Sequence, residues 1–160
     1  MAIDEGKGFA QPRTGPKTFT EYSLGALLVF VGLVGSMLAT IGSVSFYALL
    51  LFVGGAFPYF PIFGVPLFAG VMGLLMLPFG LLQVNYAWKM HTQNFNEFER
   101  VIIISIIMIV LSIVAASLLG FFAILTLQLT LGQILLNVLV IFFLLKPEVQ
   151  SEFSWDLEAN

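Results

Sequence analysis

Apolar positions fill two long blocks of the chain, and polar positions gather before, between and after them. No Asp, Glu, Lys or Arg occurs from residue 22 to residue 88, or from residue 101 to residue 145. A membrane-spanning helix takes about 20 apolar residues. The second block therefore holds two helices and a connection. As a single helix it would reach roughly 68 Å at about 1.5 Å per residue, more than twice the hydrocarbon core. The first block admits two crossings or three. Pro58, Pro61 and Pro66 sit at its centre beside Gly54 and Gly55. Three such prolines would break a middle helix and strand its polar backbone in lipid. Two crossings joined by a proline-rich connection fit better. The pattern predicts an all-α polytopic membrane protein, a four-transmembrane-helix bundle with helices at about 22–52, 67–88, 101–120 and 131–146.

Composition supports the membrane class. The chain is 59% hydrophobic and 9% charged, with a mean hydropathy of +1.04, whereas a soluble domain carries about 25% charged residues. Charge placement adds orientation. An even number of crossings puts the tail 1–21, the cluster between helices 2 and 3, and the tail 147–160 on one face. All six Lys and Arg residues then share that face, and the positive-inside rule makes it cytoplasmic. A three-plus-two arrangement would divide them. The expected location is the cell (inner) membrane, multi-pass, with both termini cytoplasmic. The polar stretch 1–21 reads as an extended tail. No cleavable signal is expected there, and Ala2 stands where myristoylation needs glycine. With no cysteine there is no disulfide or thiolate chemistry. A net charge of −3 without a basic patch argues against nucleic acid.

Helix 1 carries two small-residue ladders at a spacing of four: Gly32, Ser36, Thr40 and Gly35, Ala39, Ser43. Such ladders let helices approach closely, so this face is the expected helix-packing surface. The connection 53–66 is aromatic and uncharged, with Phe57, Tyr59, Phe60 and Phe63 placed to anchor in the membrane interface. Helix 2 contains Pro78, where a kink is expected. It closes with Tyr86, Trp88 and Lys89, interface anchors. Lys146 plays the same part at the end of helix 4. The stretch 121–132 alternates at 125–130 (L-T-L-Q-L-T) in a strand-like way. A lone strand cannot stand exposed in a bilayer, so it reads as a second outer turn.

Chemistry is sparse. No ionisable residue falls inside a predicted span, where ion-coupled transporters and pumps usually keep one. His91 is the only histidine; with Glu97 and Glu99 alone nearby it reads as a solvated loop residue. No catalytic, metal or cofactor-binding residue is predicted, and no cofactor. Gln133 and Asn137, four apart, share one face of helix 4. Their plain role is interhelical hydrogen bonding. Their functional alternative is a possible polar lining for a small neutral solute. Met37, Met72, Met76, Met90 and Met108 read as packing filler.

Two stretches carry a resemblance: L-P-F-G-L-L-Q-V-N-Y-A-W-K followed by V-I-I-I-S-I-I-M-I-V-L-S-I-V, and L-G-Q-I-L-L-N-V-L-V-I-F-F-L-L-K-P-E-V-Q-S-E-F. Over roughly residues 76–153 the chain resembles small four-helix integral membrane proteins of bacteria and archaea with no assigned activity. That resemblance implies topology and carries over no catalytic residue.

The expected function is a non-catalytic integral membrane protein, an accessory or scaffolding subunit of a larger membrane protein complex. Its expected partners are the lipid bilayer and other membrane protein subunits. The alternative is a small transporter or channel for a neutral solute. A membrane enzyme is the weakest reading, since no acid–base pair or metal cluster is available.

Overall fold

A computed structural model describes residues 19–56, 64–91, 97–119 and 124–153. After a short 3-10 turn at Phe19–Glu21 come five α-helices: α1 Leu24–Ala56, α2 Gly64–His91, α3 Phe98–Leu119, α4 Ile124–Leu144 and α5 Pro147–Phe153. There is no strand among the described residues. Leu24–Leu49, Gly70–Met90 and Phe98–Ser117 are each long and apolar enough to cross a membrane. A fourth such element arises if Gln128–Leu144 and Pro147–Phe153, bent by 82° at their junction, count as one.

Helix boundaries differ from the sequence expectation most at α4. The stretch read as an outer turn is helical from Ile124, not from Leu131. Sixteen residues would reach only about 24 Å at 1.5 Å per residue, short of a hydrocarbon core of about 30 Å. The 21 residues of α4 have the length of such a core, and a backbone in apolar surroundings would have intrahelical bonding as its one recourse, against the alternating pattern. α1 likewise runs on to Ala56, past the expected end at 52. α2 and α3 each begin three residues early, and residues 147–153 of the C-terminal tail form α5. α2 is one continuous helix through Pro78. The N-terminal tail through residue 18, the aromatic positions 57–63, the polar connector 92–96 and residues 154–160 lie outside the described residues.

The four long helices pack in a ring, α1 against α2, α2 against α3, α3 against α4 and α4 against α1. α1 and α3 stand at diagonal corners, as do α2 and α4. Small residues set the spacing. A Cβ on Gly32 would fall 2.5 Å from Val140 Cγ2, and one on Gly80 2.8 Å from Thr40 Cγ2. These contacts fix α1 antiparallel to both neighbours, since Gly73 meets Tyr47 and Gly42 meets Leu129.

The interior is layered. At the end carrying Lys89, Arg100 and Lys146, an apolar cluster joins Ala26, Val29, Leu33, Met90, Met108 and Val140 with their neighbours. Toward the other end, Tyr47, Met72, Met76 and Ala115 form a second. Between them the buried positions turn polar: Ser36, Thr40 and Ser43 on α1, Gln83 on α2, Ser112 on α3, and Thr130, Gln133 and Asn137 on α4. Each is at most 2% exposed.

Candidate functional site

Among the described residues, the polar middle layer brings buried polar side chains of all four long helices together. Its centre is a closed cycle of three. Ser36 Oγ donates to Gln83 Oε1 at 2.8 Å, Gln83 Nε2 donates to Asn137 Oδ1 at 2.6 Å, and Asn137 Nδ2 donates to Ser36 Oγ at 2.8 Å. Every member gives one bond and takes one, so three helices are tied by three reciprocal contacts. The Asn137 nitrogen also donates to the Gln133 carbonyl at 2.8 Å. That bond sets the direction of the cycle. Turning the amide over would face Oδ1 toward another oxygen and remove both donations.

One helical turn away, Gln133 Nε2 donates to Thr40 Oγ1 at 2.8 Å, and Thr40 Oγ1 donates to the Ser36 carbonyl at 2.8 Å. Gly80 makes room for Thr40. The small residue on α2 thus seats the hydroxyl that α4 reads. Interhelical bonds of this kind are worth about 0.6 kcal/mol each in membrane proteins and up to about 1.7.

Four atoms in and beside this layer make no such contact. Ser43 Oγ, Ser112 Oγ, Gln133 Oε1 and, at the layer's edge, Tyr47 Oη are buried without a protein partner; so is Ser105 Oγ. A buried polar group without a partner costs about 1–3 kcal/mol.

The sequence-predicted packing residues divide by partner. Gly32 and Gly35 face Val140 and Leu136 of α4. Ser36 and Thr40 enter the polar network, Ser43 is buried beside it, and Ala39 is half-buried. Gln133 and Asn137 both bond to α1, to Thr40 and to Ser36. Among the anchors, Tyr86 lies inside the apolar cluster and Trp88 is exposed. Lys89 Nζ pairs with Glu97 at 3.1 Å, and Lys146 Nζ sits 4.8 Å from the Phe143 ring centre.

Sequence reasoning missed Gln83. The signal was present in helical spacing. Met76, Gly80, Gln83, Ala87 and Met90 recur at helical intervals of three and four, and all are buried.

At the charged end, Glu97 also pairs with Arg100 at 3.1 Å. Hydrogen bonds from Lys89 and Tyr86, with the Arg100 charge nearby, hold its carboxyl below the ordinary value of 4.5. α5 folds back here. Val149 and Phe153 enter the apolar cluster, Gln150 Nε2 caps the Leu144 carbonyl at 2.8 Å, and Glu152 accepts from the Ser23 amide at 3.3 Å. Among the described residues, no three His, Cys, Asp or Glu side chains group as a metal site would require.

Comparison with family models finds no match, and comparisons with curated proteins and with solved structures find none either.

Proposed function

We propose that this chain is a four-span integral membrane protein with both termini cytoplasmic, acting as a non-catalytic accessory or scaffolding subunit of a larger membrane assembly. The observation that carries this reading is how its polar groups are used. Ser36, Gln83 and Asn137 satisfy one another, which suits holding helices together better than holding a ligand. The apolar side chains that remain outward, among them Leu38, Leu74, Leu81, Ile103 and Leu135, suit contact with lipid and with neighbouring subunits. The charge-free outer connections and the likeness of residues 76–153 to small four-helix membrane proteins agree with it.

The test is gentle extraction of the chain from its native membrane, followed by native mass spectrometry. Recovery with other membrane proteins at fixed stoichiometry supports the proposal. Recovery as a lone monomer while known complexes in the same extract survive counts against it.

A second reading, a channel or transporter for a small neutral solute, is favoured by the unpartnered Ser43, Ser112 and Gln133 atoms at mid-depth. It requires a route past the Ser36–Gln83–Asn137 cycle. Proteoliposomes that shrink and reswell in a neutral osmolyte no faster than empty ones would remove it.

A further inference from the structure

We propose that the middle layer is a binding site for water, with at least one molecule held between the Ser43 hydroxyl of α1, the Ser112 hydroxyl of α3 and Gln133 Oε1 of α4. Registration of the helices puts these groups together. Tyr47 and Ala115 belong to one buried cluster. Ser43 lies four residues before Tyr47, and Ser112 three before Ala115, on helices that run in the same direction. Both hydroxyls therefore sit one turn below that cluster, buried on helices at diagonal corners. Gln133 is bonded to Thr40, one turn further down α1, and its Oε1 is free of protein donors.

The hydroxyls' own behaviour strengthens the case. A helical Ser or Thr can turn back to the carbonyl four residues earlier. Thr40 and Ser117 do so, onto Ser36 and Ile113. Ser43 and Ser112 are buried yet do not. Two buried hydroxyls, each able to donate and accept, share this layer with an acceptor-only amide oxygen. That set matches a small neutral molecule with two donors and two acceptors. Buried water commonly makes about three such bonds. No charged group lies at this level among the described residues, so an ion is not the matching ligand. The cycle of Ser36, Gln83 and Asn137 bounds the site on one side, and the Tyr47 cluster bounds it on the other.

X-ray radiolytic labelling of the full chain in lipid nanodiscs tests this, because bound water generates hydroxyl radical at buried sites. Met76 and Met90 are both at most 1% exposed. Met76 lies between Gly73, which meets Tyr47, and Gly80, which meets Thr40, and is level with Ser43; Met90 lies in the apolar cluster. The expected result is oxidation of Met76 several-fold faster than Met90, with the excess lost in Ser43→Ala/Ser112→Ala. Equal rates in the unaltered chain would overturn the proposal, whatever the variant does. A structure in lipid that resolves water gives an independent reading. It should show density within hydrogen-bonding distance of Gln133 Oε1 and of Ser43 or Ser112. Finding both hydroxyls turned onto their own helix carbonyls, with no density between them, would refute it.

Discussion

The Asn137 side-chain nitrogen lies 2.8 Å from the Ser36 hydroxyl, although 101 positions separate the two in sequence. Each also bonds to Gln83, so this contact closes a cycle joining α1, α2 and α4 at the centre of the bundle. The cycle has a direction, set by the second Asn137 bond to the Gln133 carbonyl. Asn137→Asp keeps the size but replaces the donor nitrogen with an acceptor. It should destabilise the bundle more than Asn137→Ala does, because oxygen would face the Ser36 and Gln133 oxygens. Unfolding free energies of the two variants in bicelles check the order, and the reverse order would mean the amide is not a donor here.

Glycines at two positions should respond oppositely to the same substitution. Gly32→Ala drives a methyl into Val140, whose branched side chain has little freedom to yield. A loss of about 1–3 kcal/mol is expected for such overpacking. Gly132→Ala meets nothing within 4 Å and should be neutral or stabilising by up to about 1 kcal/mol through helix propensity. Thermal unfolding of both in one detergent distinguishes them.

The Lys89–Glu97–Arg100 group should give the charged end a pH dependence. Glu97 has its carboxyl held below 4.5 by Lys89, Tyr86 and Arg100. A depressed acid contributes stability above its unfolded value and loses it as pH falls through the folded value. The contribution should therefore persist at neutral pH and fade below about pH 4.5. Glu97→Gln should flatten the part of the stability profile below about pH 4.5, and an unchanged slope would assign it to other carboxylates.

α5 should depend on Phe153. This ring is 3% exposed and lies 6.1 Å, centre to centre, from Phe98. Truncation of a buried Phe costs about 3–5 kcal/mol. Local release of a seven-residue helix should cap the effect below the global value. Phe153→Ala should speed proteolysis after residue 146 while leaving α1–α4 protected. Equal protection of α5 in both proteins would mean that Phe153 does not hold it.

The four long helices were legible in the sequence because charge is costly in hydrocarbon and gathers at the ends of apolar blocks. Lys89 lies near the end of α2, Arg100 near the start of α3, and Lys146 just after the end of α4. The start of α4 was not legible. Leu125 to Thr130 alternate like a strand in sequence yet lie inside α4, and no local signal marks that helix start. The candidate site was half visible. Spacing of four put Gln133 with Asn137 and Gly32 with Ser36, but nothing local relates Ser36 to Gln83. That pairing depends on the register of α1 against α2, which Gly73 and Gly80 set through contacts with Tyr47 and Thr40. The unpartnered Ser43 and Ser112 were equally hidden, since a helical serine can always satisfy itself.

The central claim is that the polar residues at mid-depth bind the helices to one another. A double-mutant cycle on Ser36→Ala and Asn137→Ala, read as unfolding free energy in bicelles by steric trapping, tests it most directly. The account predicts a coupling of about 0.6–1.7 kcal/mol, the range of strong interhelical hydrogen bonds in a membrane. Effects that simply add, within about 0.3 kcal/mol, would contradict it.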